Sequence, residues 1–276
     1  MKILVTGANG QLGRELTKQL QGTDYLPVDL DELDITRQDA TLQVVKSYQP
    51  DVVIHGAAYT NVDQAETDIE AVYKVNAIGT QNLAAACLGC GAKMVYISTD
   101  YVFDGNLGRA YTEFDQTNPQ SVYGKSKLAG EILAKHILNQ LFIVRTSWLY
   151  GDGNNFVRTM MKLGAEKLEL KVVNDQYGCP TSAKDLADVI LRLIETEHYG
   201  IFHAVNTGVT TWYDFAKKIF ELSGNTQVNV LSQTTAELGR PAPRPPYSPL
   251  ENLMLGLTIG NSMRSWEEAL GEYLKK

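Results

Sequence analysis

The chain has 276 residues, enough for one large α/β domain or a domain with a small second lobe. Its 44% hydrophobic and 21% charged content is ordinary for a globular protein, and a formal charge of -7 excludes a broad nucleic-acid-binding face. No apolar run is long enough to span a bilayer, three cysteines suit a reducing compartment, and Met1-Lys2 leads straight into a strand, so a cytoplasmic protein without signal peptide is expected.

Lys2 to Thr6 reads as a short apolar strand, followed at once by Gly7-Ala8-Asn9-Gly10-Gln11-Leu12-Gly13. Leu12, Leu16 and Leu20 then mark one face of a helix. Strand, glycine turn and helix is the context that gives a glycine fingerprint meaning. The glycines let the pyrophosphate of a dinucleotide approach the backbone at the positive end of the helix. A second strand, Tyr25 to Val28, delivers Asp29 and Leu30. An acid about twenty residues beyond the fingerprint accepts the adenosine ribose hydroxyls and repels a 2′-phosphate, which leans toward NADH. Asp34 and Ile35 are placed beside the adenine.

Asp51 to His55 is a third strand, apolar as one buried on both faces should be. Ala57, Ala58, Tyr59 and Thr60 follow, and small residues at a strand end let a flat cofactor lie against backbone. A long helix from Ala65 to Cys87 is expected, with Ile69, Val72 and Val75 on its buried side and Asn76 tying down neighbouring backbone. Cys87-Leu88-Gly89-Cys90 has redox spacing, but it ends a helix, where the dipole disfavours thiolate, and it has no second pair. It reads as structural.

Lys93 to Ile97 is a fourth strand, which carries Ser98, Thr99 and Asp100 to the same edge. After a polar loop, Ser121 to Asn139 forms an amphipathic helix with Leu128, Ile132 and Leu133 at helical spacing. Tyr123 and Lys127 share a face of that helix. The ammonium is expected to favour the phenolate and lower the tyrosine pKa, so that the phenol exchanges a proton with a carbonyl oxygen as hydride moves. Tyr213 and Lys217 match the same spacing and read as a solvated helix pair. Leu141 to Val144 is a fifth strand ahead of Trp148, which offers either a stacking face for a sugar or core filling.

The strand–helix alternation predicts an α/β, doubly wound parallel sheet (a Rossmann fold) over 1–150. A small substrate-binding lobe mainly over 151–276 follows, with a segment near 183–206 returning to the sheet. Its helices are expected at Phe156 to Lys167, Ala183 to Glu195, Trp212 to Leu222 and Ser262 to Leu274, its strands at Leu170 to Val173 and Ile201 to Val205. Arg240-Pro241-Ala242-Pro243-Arg244-Pro245-Pro246 is stiff, and its arginines suit a diphosphate or simply flank a linker.

These motifs occur together with Val62-Asp63, Ser98-Thr99-Asp100-Tyr101-Val102-Phe103-Asp104-Gly105, Arg145-Thr146-Ser147-Trp148-Leu149-Tyr150-Gly151 and Gln176-x-Gly178-x-Pro180-Thr181. On them the chain resembles the dTDP-4-dehydrorhamnose reductases, extended short-chain dehydrogenases/reductases, along almost its whole length. The resemblance implies reduction of the 4-keto group of dTDP-4-dehydro-β-L-rhamnose to dTDP-L-rhamnose. It implies that Thr99 tunes the tyrosine, Tyr123 donates the proton, and Lys127 holds the nicotinamide ribose. Thr60, Thr99, Asp100, Tyr123, Trp148 and Arg244 make up the candidate substrate set. The family is usually described with NADPH, yet NADH-accepting members carry an acid like Asp29, so both cofactors stand. Some relatives dimerise through a magnesium site built from glutamates. Glu15 falls in the matching region without identifiable partners, so monomer and homodimer both stand and no metal ligand is assigned. A 4,6-dehydratase needs an Asp-Glu pair where this chain has Asp100-Tyr101. A sister 4-keto sugar nucleotide reductase remains as an alternative, and so does a non-catalytic relative like the regulatory subunit of methionine adenosyltransferase.

Overall fold

The computed structural model describes residues 1–275. The chain opens with β1 (Lys2–Thr6), α1 (Gln11–Gln19) and β2 (Asp24–Val28), and α2 (Gln38–Tyr48) then crosses to β3 (Val52–His55). Short helices α3 (Val62–Ala65) and α4 (Ile69–Tyr73), a π-helical turn (Lys74–Gly79) and α5 (Thr80–Cys90) lead to β4 (Lys93–Thr99). Next come α6 (Val122–Ile137), β5 (Leu141–Thr146) and β6 (Leu149–Tyr150). The C-terminal part contains α7 (Phe156–Glu166), β7 (Glu169–Val173), β8 (Tyr177–Gly178), β9 (Thr181–Ser182), α8 (Ala183–Ile194) and β10 (Gly200–His203). It closes with β11 (Thr210–Thr211), α9 (Trp212–Leu222), β12 (Asn229–Gln233), α10 (Thr235–Leu238), α11 (Leu253–Thr258) and α12 (Trp266–Leu274).

Six parallel strands form the central sheet in the order β10-β5-β4-β3-β1-β2. Both faces are covered, which is why the strands carry nearly continuous apolar runs. On one face Ile3, Val5, Phe142 and Val144 pack against Leu12 and Leu16 of α1 and Leu186, Ile190 and Leu193 of α8. On the other, Leu4, Val53 and Met94 meet Val45 of α2, Leu83 of α5 and Ala134 of α6. The chain goes from β1 to β2 on one side and returns to β3 on the other. The order therefore reverses between β1 and β3, and the loops after those strands part to leave a crevice. A separate core, with Phe215, Ile219, Phe220 and Trp266, supports the parallel pair β7 and β12.

Several expectations need correction. The single helix from Ala65 to Cys87 is broken: the chain turns between α3 and α4, then passes through the π turn. Ile69, expected inside, is 49% exposed, whereas Val72 is fully buried. Ile132 is likewise exposed, because Gly130, Glu131 and Ala134 of α6 face inward. The last helix starts at Trp266, where Ser265 and Glu268 form a capping box, and not at Ser262. The sequence reading also passed over α2, α10, α11 and β12, whose apolar patterns are short or weak.

Candidate active site

The ends of β1 to β5 and the loops after them line one cleft of about 1160 Å³. Gly7 has φ +70°, and a Cβ there would lie 2.6 Å from Ala57 N. A Cβ on Gly13 would lie 2.2 Å from Gly7 O. The turn thus packs backbone on backbone, and only hydrogens fit. Gly10 caps α1 without a side-chain hydrogen bond, which leaves the first-turn N–H groups directed at the cleft rather than satisfied by a cap. A diphosphate fits such a cradle. Asn9, Gln11 and Leu12 line the same wall, and Gln11 Oε1 accepts from Gly151 N at 2.8 Å, which ties the turn to the C-terminal part.

Asp29 and Leu30 line the far end. The Asp29 carboxylate accepts from Asn9 N and Leu30 N, both at 2.8 Å, so it organises the turn as well as facing the cleft. Arg14, which the sequence reading overlooked, also lines this end, its Nε donating to Asn9 O at 2.8 Å. Its signal was available: it is the one basic residue of the fingerprint helix's first turn. Asp34 and Ile35 are in the lining too. The Thr36 hydroxyl and N–H hold the Asp34 carboxylate below its usual pKa, with burial opposing.

Ala57, Ala58, Tyr59 and Thr60 form the floor. Tyr59 N donates to Asn76 Oδ1 at 2.8 Å, and Asn76 Nδ2 donates to Tyr59 O and to Ser126 Oγ of α6. Asn76 sits in the π turn, so it bonds the end of β3 to the helix that carries Tyr123. His55 is buried and joins Thr6 Oγ1 (2.8 Å) to Thr80 Oγ1 (3.1 Å) across two elements. Burial pushes its pKa down to about 3, so it stays neutral.

The structure brings Thr99, Asp100, Tyr123 and Lys127 together on this cleft. Ser121 caps α6 by accepting from Gly124 N at 3.1 Å. Gly124 lets that helix approach the turn after β4, since a Cβ there would lie 2.2 Å from Tyr101 O. The Thr99 hydroxyl bonds the Tyr123 phenol and also reaches Asp100 Oδ1 at 3.1 Å. Tyr101 meets Tyr123 edge-on, with ring centroids 5.5 Å apart.

Here the expected electrostatics are corrected. Burial raises the Tyr123 phenol to about 12, against the Thr99 hydrogen bond, which lowers it. Burial also lowers Lys127 to about 7, with Glu131 opposing. The lysine Nζ lies 4.1 Å from the centre of the Tyr96 ring. Spacing along the helix put the pair on one face, but desolvation is the largest influence on each. Asp100, 2% exposed, accepts from Ser248 Oγ at 2.6 Å, and burial raises its carboxyl to about 6.

Trp148 lines the cleft with φ 46°, stacked on Trp212 at 3.6 Å. Gly178 passes behind it, because a Cβ there would lie 2.4 Å from Trp148 Cε2. Trp212 itself was missed, since nothing local links residues that far apart. Arg244 is absent from the lining itself: its guanidinium lies on Asp63 with both oxygens at 3.0 Å and also bonds Tyr101 of the cleft wall. The proline-dense segment works as a staple to α3, with Ala242 N also donating to Asp63. Cys87 is buried with its thiol pushed up by burial, and Cys90 Sγ rests near Cys87 O, as a structural pair should.

A divalent cation does not fit at Glu15. Lys18 Nζ lies 3.6 Å from its carboxylate, and Lys184 and Arg264 line the adjoining small pocket, both paired with Glu272. Among the described residues, no group of three or more His, Cys, Asp or Glu side chains is disposed to hold a metal, and no helix is long and apolar enough to cross a membrane.

A model of the family described as RmlD substrate binding domain matches residues 1–276. The chain is 44% identical over 278 residues to the spore coat polysaccharide biosynthesis protein SpsK of Bacillus subtilis, covering 100% of this chain and 97% of that one. Among solved structures it is similar to a dTDP-4-dehydrorhamnose reductase from Clostridium acetobutylicum, with TM-score 0.98, 53% identity, and 100% and 99% of the two chains covered. It is also similar to one from Bacillus anthracis in complex with NADP, with TM-score 0.97, 48% identity, and 99% and 98% covered. A Thermus thermophilus UDP-glucose 4-epimerase, 19% identical at TM-score 0.81, shares the fold alone.

Proposed function

Because the chain belongs to the RmlD substrate binding domain family of dTDP-4-dehydrorhamnose reductases, we propose that it reduces the 4-keto group of dTDP-4-dehydro-β-L-rhamnose to give dTDP-L-rhamnose. The observation that carries this reading is the convergence of Thr99, Tyr123 and Lys127 on the cleft that the glycine turn opens. NAD(P)H, when bound, supplies the hydride. Gly7, Gly10, Gly13 and the first-turn N–H groups of α1 hold its diphosphate, and Ala57, Ala58 and Tyr59 form the surface against which it lies. Asp29, Leu30, Asp34 and Ile35 bound the adenosine end.

Tyr123 gives its proton to the carbonyl oxygen as the carbon is reduced. A phenol held near 12 is protonated throughout the neutral range and ready to donate. The phenolate left behind is stabilised by the Thr99 hydroxyl and by Lys127 in its ammonium form. Trp148, backed by Trp212, gives the sugar nucleotide a flat wall, and Thr60 and Asp100 supply polar contacts. Residues 151–276, apart from the returning stretch near 183–206, form the part of the protein that holds the substrate.

NADPH is accepted alongside NADH in this reading. Arg14 brings a guanidinium to the end of the cleft where Asp29 alone would repel a 2′-phosphate, and the Bacillus anthracis relative was solved with NADP. The experiment is oxidation of each cofactor, followed at the nicotinamide absorbance, with enzymatically made dTDP-4-dehydro-β-L-rhamnose. Rapid oxidation with dTDP-L-rhamnose as product is expected. Binding of cofactor without turnover would sink the reading and favour another keto-sugar or a non-catalytic role.

A further inference from the structure

Tyr123, Lys127 and Glu131 follow one another at four-residue intervals along the buried face of α6. The third member has no place in the proton transfer described above, yet it is the most heavily bonded. Glu131 is 3% exposed, and its carboxylate receives a two-pronged guanidinium: Arg145 Nε donates to Oε1 at 2.9 Å and Nη2 to Oε2 at 2.7 Å. Ser98, which lines the cleft, donates to Oε1 at 2.5 Å. Arg145 is itself 3% exposed and lies over the Phe103 ring at 5.2 Å. A buried ion pair of this kind is weak evidence for stability, since apolar residues of similar volume often do as well. Its position, one helical turn from the lysine and joined through Ser98 to the cleft wall, suggests another purpose.

We propose that Glu131, clamped by Arg145 and Ser98, is a positioning residue that keeps Lys127 charged and seated beside Tyr123. The proposal rests on the reductase reading of Tyr123 and Lys127. Every group facing the lysine bears on it. Tyr123 and Glu131 come from its own helix, the Tyr96 ring from β4 and neutral His55 from β3. Against the desolvation of a buried ammonium, the opposing influence on Lys127 is the charge of Glu131. Arg145 fixes that carboxylate in place through its two hydrogen bonds. Replacing the carboxylate by an amide therefore leaves Lys127 to lose its proton at lower pH.

The test compares wild type with Glu131→Gln, Glu131→Asp and the double variant Glu131→Gln/Arg145→Met. Turnover is measured against pH with NADPH and keto-sugar, and Lys127 is titrated by NMR of [13Cε]lysine-labelled protein. In Glu131→Gln the basic limb of kcat and the Lys127 titration should both move down by about one pH unit. Glu131→Asp, which retains the charge, should hold both near wild type. Should the stranded Arg145 prevent Glu131→Gln from folding, the double variant removes both charges and should still show the downward shift. Unmoved titrations in whichever of those two folds, or an equal shift in Glu131→Asp, would overturn the proposal. If wild type itself fails to turn over, the reductase reading falls, and the NMR titration alone decides the part of Glu131.

Discussion

A phenol that burial holds near 12 is a poor base and a patient acid, and this defines what each residue at the site must do. Tyr123 needs help only after the proton has left, and Thr99 and Lys127 are placed to give it. Tyr123→Phe keeps the ring and its edge contact with Tyr101 while removing the hydroxyl. Turnover should fall by about 10²–10⁴-fold, with NADPH affinity near wild type in a fluorescence titration. Near-normal turnover would mean that another group donates the proton. Asp100 makes a second prediction at this scale. Its folded carboxyl titrates near 6, above the ordinary value of 3.8, so the native state binds the proton more tightly than the unfolded chain. Stability should therefore be lost as pH rises through about 4 to 6 and regained on acidification. Asp100→Asn does not titrate, so it should be the more stable by about 1–3 kcal/mol at pH 7.5, and that gain should shrink as pH falls through about 6 to 4 and vanish below about pH 3.5. Chemical denaturation at the two pH values checks this, and an unchanged difference would refute it. The pair Tyr123 and Lys127 was legible in the sequence because its geometry is local to one helix. The Asp63 partner of Arg244 was not legible, because it lies far away along the chain.

Helical periodicity reads a face only while the register is regular, and the stretch before β4 is where that reading failed. A π turn widens the helix and rotates the residues before it relative to those after it. Ile69 thus lies exposed where a continuous 3.6-residue pattern buries it, while Val72 stays inside. The irregularity places Asn76 where it can bond Tyr59 and Ser126 together, so the departure from pattern falls at the site itself. The glycine turn was legible for the opposite reason: strand, turn and helix are contiguous, and each glycine answers to a contact within the same unit or the next strand. Gly13→Ala tests the fit of that element. Its Cβ would lie 2.2 Å from Gly7 O and 2.6 Å from Ala8 Cα, both backbone, so α1 must move away from the turn. Overpacking of this kind costs about 1–3 kcal/mol, and the displaced N–H groups should weaken NADPH binding at least tenfold by titration calorimetry. Unchanged affinity would show that the first turn of α1 does not hold the diphosphate.

At the scale of the whole molecule, the chain leaves the sheet after β5, builds β7 and its neighbours, and comes back. The sequence revealed the alternation and a return near 183–206. The place of β10 as the outermost strand beside β5 depends on pairing between distant segments, which no local pattern encodes. That return makes the N-terminal stretch incomplete by itself. Leu186, Val189, Ile190, Leu193 and Ile194 of α8 and Phe202 of β10 share a core with Ile3, Val5, Leu12 and Leu16. Large apolar side chains contribute about 1.5–3 kcal/mol each when buried, so the loss of these six comes to about 9–18 kcal/mol. The net stability of a whole domain is about 5–15 kcal/mol. A buried tie reinforces the same point: Glu113 accepts from His203 N at 2.8 Å. A fragment of residues 1–150 should therefore show no cooperative thermal transition and no NADPH binding, even though it holds the glycine turn, Thr99, Tyr123 and Lys127. Calorimetry and NMR of the fragment decide it. A dispersed spectrum with a sharp transition would show that the first five strands are a self-sufficient domain and that α8 and β10 only decorate it.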